Sequence, residues 1–339
     1  MKKDYHFNGG KAMAVIGNTK IKDSFLKRWV MILISSLFVA VIFGTSLAML
    51  QDQKTFASPD EAVKAMMEAL KAENVKVLSD IFGPGSEDLI SSGDPVADKA
   101  EHERFFNLYQ QKNKVEEASS TKAVLHIGNE DWPFPIPIVK KNGMWLFDTN
   151  EGREEIIARR IGRNELSVIR VCLAYVDAQK EYAIKDRDGD GVLAYAQKFS
   201  SEPGKKDGLY WKAKEGDEQS PLGPLVAAAQ EIGYTGKKSG GKPVPYHGYY
   251  YRILKAQGKD ATGGAYDYIV KGKMMGGFAL VAYPAHYGSS GIMTFIVNHA
   301  AEVYQKDLGE YTEKTALTMQ LFNPDITWKK VEEKIAKGK

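Results

Sequence analysis

The sequence predicts an α+β protein in which a small helix-plus-meander domain precedes a long helix packed on a mostly antiparallel sheet. Three observations carry this prediction. A capped, helix-periodic stretch and a second helical stretch follow residue 51, a proline-rich alternating stretch runs to residue 150, and an unbroken helical pattern at 151–184 leads into a strand-dense remainder ending near residue 335. At 339 residues the chain exceeds what one core usually organises, so 51–150 and 151–335 are expected to be separate domains.

The first helix opens at "SPDEAVKAMMEALK". Ser58 is placed to cap it, Pro59 sits where no amide donor is required, and Asp60 and Glu61 face the positive end of the helix dipole. Ala62, Met66, Ala69 and Leu70 recur at helical spacing and mark its buried side. A second helix is predicted from Asp94 to Lys112, with Phe105, Phe106, Leu108 and Tyr109 available for packing. The period then changes to that of strands in "KAVLHIG" and "MWLFDT", with Asn142-Gly143 as a hairpin turn between them and the latter. Pro133, Pro135 and Pro137 each remove a ladder donor and confine their segment to an edge or an extended arm.

In the long helix, Leu166, Ile169, Cys172, Tyr175, Val176, Gln179 and Tyr182 trace a mostly apolar stripe. A short helix is predicted at "SPLGPLVAAAQEIG". Strand signals follow in "YHGYYYRILKAQ", "AYDYIVKG", "GGFALVAYP", "GIMTFIVN" and "EVYQKDLG".

Bulk properties exclude several functions. The net charge of +3 is spread along the chain and offers no concentrated basic face, which argues against nucleic acid as a partner. The single cysteine, Cys172, permits neither an intramolecular disulfide nor a thiolate metal cluster, and its apolar neighbours predict a packing role.

The strongest functional signal is an address. Residues 29–50 form an uncharged apolar run, preceded within the basic leader 1–28 by Lys20, Lys22, Lys27 and Arg28. The run is long enough to span a bilayer at ~20 residues, yet Ser46 and Ala48 are small residues placed as before a cleavage site. A signal sequence and a membrane anchor both fit, and Met13 is an alternative start. Either predicts an exported protein of the periplasm or cell envelope, with membrane association available through 29–50.

Three motifs bear on chemistry. "KDRDGDGVLAY" sets Asp186, Asp188 and Asp190 at alternate positions before Gly191, the spacing of a calcium loop, although Gln197 stands where a bidentate carboxylate would close it. The competing reading is an Asp-Gly turn ending the long helix. "GKKSGGKP" at 236–243 has phosphate-loop spacing, but Pro243 replaces the magnesium-binding hydroxyl and no apolar strand leads in. "YGSSGIM" resembles a nucleophile elbow, except that Ile292 replaces its second glycine; Ser289 or Ser290 with His286 or His299 would be the catalytic pair. Tyr246, Tyr249, Tyr250, Tyr251, Tyr266, Tyr268, Tyr283 and Tyr287 suit either half-buried strands or a recognition surface.

The strings "FASPDEAV", "GMWLFDTNEGREEIIARRIGRNEL", "DAQKEYAIKDRDGDGVLAYAQKF", "GYYYRIL" and "GGFALVAYPAHYGSSGIMTFIVN" together resemble the DUF2950 family of exported bacterial proteins, over nearly all of the chain after the apolar run. That resemblance implies no assigned activity. The second half alone resembles the globular parts of pseudopilin-like proteins, without the glycine–phenylalanine junction and following glutamate of a prepilin. The expected function is a non-enzymatic binding or structural/assembly module whose partner is an envelope protein or a cell-wall or polysaccharide component. The alternative is a periplasmic hydrolase using a Ser/His pair within 286–299. No cofactor is expected apart from calcium at the aspartate loop.

Overall fold

The computed structural model describes residues 53–214, 216–234 and 243–332. The predicted leader and apolar run, and the phosphate-loop-like stretch up to residue 242, lie outside them. Among the described residues no helix is long and apolar enough to cross a membrane.

The first helix, α1 (Pro59–Lys71), begins as its sequence demands: the Ser58 hydroxyl accepts from the Glu61 amide at 3.2 Å, and the Glu61 carboxylate reaches back to the Ala57 amide at 3.1 Å. It stops at Glu73, whose φ of +50° is incompatible with continuing the helix, and Asn74 caps a separate α2 (Val75–Phe82). A single turn, α3 (Glu87–Ile90), precedes α4 (Pro95–Gln111). Five strands follow: β1 (Asn113–Ser119), β2 (Lys122–Ile127), β3 (Trp132–Pro133), β4 (Ile138–Lys141) and β5 (Met144–Phe147). They form an antiparallel sheet ordered β1-β2-β4-β5, with β3 also on β2. Asn142 and Gly143 both take positive φ, the pairing a tight hairpin needs between β4 and β5. The core between α1, α2 and this sheet holds Met66, Leu78, Ile81, Leu125, Ile127 and Phe147, all essentially inaccessible.

One helix, α5 (Arg153–Tyr182), runs about 45 Å at ~1.5 Å per residue. Its first turns lie beside the first core, which Ile156 touches, and its second half enters the other core through Val168, Cys172, Tyr175, Val176 and Tyr182. The predicted stripe is buried except for Leu166, which faces solvent. Cys172 is fully buried and burial pushes its thiol up to about 12, so it is a packing residue.

Beyond the short α6 (Gly223–Glu231) come β6 (Tyr249–Leu254), β7 (Ala256–Gln257), β8 (Tyr266–Asp267), β9 (Ile269–Val270), β10 (Lys273–Met274), β11 (Ala279–Pro284), β12 (Met293–Asn298) and β13 (Val303–Asp307). A 3-10 turn then leads through α7 (Thr312–Thr318) to β14 (Leu321–Phe322) and β15 (Lys329–Lys330). The main sheet is antiparallel, ordered β15-β13-β12-β11-β6, and α5 packs on β11, β12 and β13. All six residues of β11 are buried, as a strand covered on both faces requires. A parallel pairing of β14 with β7 is the exception among antiparallel ladders.

Candidate functional site

Helix α4 has seventeen residues, and none of them is buried. Asp94 caps it and Pro95 opens it, so its formation is locally well specified. Its apolar residues Phe105, Phe106, Leu108 and Tyr109 nevertheless remain only half covered. The helix packs on the rim of the first core, with the Phe105 and Phe134 ring centroids 5.2 Å apart, and walls one side of a cavity of about 630 Å³, within the range of small-ligand sites. Met66, Leu70, Leu78, Phe82, Ile127 and Phe134 supply apolar wall.

The polar groups gather where α4 meets α5. Asp98, Glu101 and His102 come from the first half of α4, and Arg159, Arg160 and Arg163 share one face of α5 at helical spacing. Glu101 Oε2 is shared by Arg104 and Arg163, each guanidinium at 3.0 Å. Asp98 is held by the Ser92 amide and by the hydroxyls of Ser91 and Ser92. Arg159 pairs with Glu155 and lies over the Trp132 ring, 5.2 Å from its centroid.

Arg160 differs from its neighbours. Its guanidinium donates to the carbonyl oxygens of Asp88 at 2.5 Å and Leu89 at 2.6 Å, and it forms no ion pair among the described residues. Burial lowers its pKa from the ordinary guanidinium value, with Asp98 and Asp88 opposing, yet arginine stays charged at any accessible pH. Burial likewise lowers the pKa of His102, against the attraction of Asp98, so its ring is neutral near pH 7.

Adjoining this cavity is a polar seam between the two cores. Asp94 is fully buried and its carboxylate accepts four hydrogen bonds: from the Val96 and Ala97 amides, from the Tyr234 hydroxyl at 2.6 Å and from the Gly248 amide at 2.9 Å. Burial, followed by the Asp94 hydrogen bond and charge, raises the pKa of the Tyr234 hydroxyl far above its usual value and keeps it a donor. From α5, Asn164 donates to the Ser290 carbonyl at 2.8 Å, and Glu165 accepts from the Ile292 and Met293 amides at 3.0 and 2.9 Å. Gly93 leaves the space that the His286 ring occupies; a Cβ there would lie 2.1 Å from it.

The Ser/His pair considered from the sequence is not assembled. Ser290 is fully buried, and its hydroxyl accepts from the His286 amide at 2.9 Å and donates to the His286 carbonyl at 3.1 Å, closing a turn without touching the imidazole. Ser289 is buried with its hydroxyl 3.5 Å from Arg160. His299 follows the far end of β12, a strand that at ~3.3 Å per residue separates it from both serines by roughly 20 Å. There it packs edge-on to Tyr268 and Phe278, with its buried Nδ1 unpartnered.

At the aspartate loop the three carboxylates do not point at one centre, and among the described residues no group of three or more such ligands could hold a metal ion. Asp186 accepts from the amides of Asp188, Gly189 and Gly191, the pattern of an Asp-Gly turn. Asp188 and Asp190 both pair with the Lys273 ammonium, at 3.1 and 2.5 Å. Arg187, almost fully buried, is sandwiched between Tyr182 and Trp211 and pairs with Glu218, whose carboxyl Lys185 and Lys206 hold down at about 2. The loop thus carries its own cation. We expect ~1 mM calcium, the range of extracellular calcium modules, to leave the melting temperature unchanged, and to raise it in Lys273→Met, where Asp188 and Asp190 are freed. A calcium-dependent rise in the unaltered protein would show that the ion displaces Lys273.

The tyrosines mostly serve packing: Tyr249, Tyr268 and Tyr283 are buried, and of the eight only Tyr266 and Tyr287 are exposed. Sequence reasoning missed Arg160, His102 and Tyr234. A signal for the first two existed, since Asp98, His102 and Phe105 on one helix and Ile156, Arg160 and Arg163 on another are apolar–polar faces at helical spacing.

Fold and site together define an α+β protein with two cores joined along one helix and an amphipathic cavity beneath another. A family model described as a protein of unknown function, DUF2950, matches residues 53–331, and the chain belongs to that family. No curated protein and no solved structure matches it. The pseudopilin-like resemblance of the second half rests on the sequence alone.

Proposed function

We propose that this chain is a non-enzymatic binding module of the bacterial cell envelope that takes an apolar group into the cavity beneath α4. The observation that carries this reading is an apolar-walled cavity of about 630 Å³ beside a capped helix with no fully buried residue, whose Phe105 and Leu108 line it. Leaving Phe105 and Leu108 half covered forgoes roughly half of the 1.5–3 kcal/mol that full burial of each would contribute, about 1 kcal/mol apiece, which a bound apolar group would recover. Export is supported by the uncharged run 29–50 behind its basic flank. A binding role is favoured over hydrolysis because the Ser290 hydroxyl is taken up by the His286 backbone and His299 packs against Tyr268, a strand's length from both serines.

Trp132 lines the cavity and reports its occupancy. Titrating the full-length chain with uncharged alkyl alcohols should change its fluorescence saturably, with affinity tightening about fourfold per added methylene, the equivalent of about 0.8 kcal/mol. Trp132→Phe should remove the signal, and Leu70→Glu should abolish binding without unfolding, because Leu70 is only half buried. No saturable signal at any chain length would overturn the assignment. Protection of the chain from protease added to intact spheroplasts would overturn export.

A further inference from the structure

We infer that the cavity's ligand carries one negative charge at the end of its apolar body, recognised between Arg160, Arg163 and His102. The inference rests on the binding reading above and names the ligand's chemical class: a single-chain amphiphile with an acidic head.

The cavity is polarised from end to end. Its wall is aliphatic and aromatic, the exposed Glu130 lies by the last turn of α4, and the other ionisable side chains enter where α4 faces α5. That end holds more positive charge than its own carboxylates neutralise. Glu101 is divided between two guanidiniums, Arg104 and Arg163, so each has half a partner. Arg160 has no carboxylate within ion-pair distance among the described residues: its guanidinium donates to two carbonyl oxygens and, at 3.5 Å, to the Ser289 hydroxyl, and Asp98 and Asp88 act on it only from farther off. A mostly buried, unpaired charge is costly, and an arriving anion removes that cost. His102, at the same end, makes no hydrogen bond among the described residues and is half buried. An imidazole in that position donates to an acidic head at no cost in existing contacts. At that end Arg104, Arg160 and Arg163 face Glu101 and Asp98, an excess of one positive charge, which sets the charge of the head.

Two other charged clusters among the described residues are internally paired. Lys273 closes the aspartate loop, and Glu218 gathers Lys185, Arg187 and Lys206.

The test compares dodecanoate, dodecyl phosphate, dodecanol and dodecyltrimethylammonium on the full-length chain, with Trp132 fluorescence as readout. Dodecanoate is expected to bind about tenfold more tightly than dodecanol, and the cation more weakly than either. The phosphate arm separates a carboxylic from a phosphoric head: with a second charge it should gain nothing over dodecanoate. Added salt should erode the advantage of the acid and leave the alcohol unchanged. Arg163→Gln should bring dodecanoate down to the affinity of dodecanol, and Glu101→Gln, which releases both arginines, should strengthen dodecanoate. Arg163 and Glu101 are substantially exposed, so neither change endangers folding. Equal affinity for acid and alcohol would overturn the charged head and leave the apolar site standing. Failure of all four probes would overturn both.

Discussion

Replacing Asp94 with alanine is expected to lower stability by about 4 kcal/mol, because hydrogen bonds to a buried charged group contribute about 1.5–3 kcal/mol each and an N-cap about 0.5–2. The loss falls on three structures at once. The Val96 and Ala97 amides lose their cap, the Tyr234 hydroxyl loses its acceptor, and the Gly248 amide is stranded in the interior. Gly248 and Tyr234 belong to the second half of the chain and the cap to the first, so the carboxylate is a tie between two cores. Calorimetry should therefore show the single transition of the parent splitting into two as well as moving down. Tyr234→Phe removes one of the four bonds and should cost about 1–2 kcal/mol with the transition still single. Asp94→Asn should fall between, since its amide nitrogen can face the tyrosine oxygen but opposes the Gly248 donor. An alanine variant that melts in one transition near the parent temperature would show that the seam does not couple the cores.

What was legible in the sequence was local. Ser58 and Pro59 announced the first helix, and Asn142-Gly143 announced its hairpin, because a cap or a turn is decided by residues within reach of one another. The stripe from Ile169 to Tyr182 was legible because a long buried helix face repeats its signal many times. The rest depended on partners distant in the chain. Strand β1 is polar and almost wholly exposed, so it carries no alternation; its pairing with β2 makes it a strand. The alternating aspartates spelled a metal loop until Lys273, more than eighty residues on, supplied the cation. Ser290 stood in a catalytic-looking string, and only its contact with the His286 backbone reveals it as a turn residue. The cavity was least legible of all. A gap is the absence of packing, and Phe105 and Leu108 read as ordinary core positions until they are seen half covered, lining the cavity.

Gly152→Ala should be the most damaging single substitution, at about 5 kcal/mol or outright failure to fold, a magnitude reached only when a specific structural feature is broken. Gly152 caps α5 with φ at +92°, a left-handed conformation that costs an L-residue about 1–2 kcal/mol. Crowding is worse than strain here. A Cβ at this position would lie 2.1 Å from the Pro135 carbonyl oxygen and 2.4 Å from its carbon, which are backbone atoms and cannot swing aside. Pro135 is fixed in turn, because Ile136 beside it is fully buried and the Pro137 carbonyl accepts from the Asp148 amide at 2.8 Å. Gly143→Ala separates the two effects: its φ is +84°, but nothing lies within 4 Å of the added carbon, so it should cost only the strain. Thermal melts of the two variants decide the matter, and near-equal melting temperatures would show that the proline arm yields. A folded remnant of Gly152→Ala should also fail to bind dodecanoate, because the entry angle of α5 at Gly152 determines where Arg160 and Arg163, two and three turns later, meet the cavity.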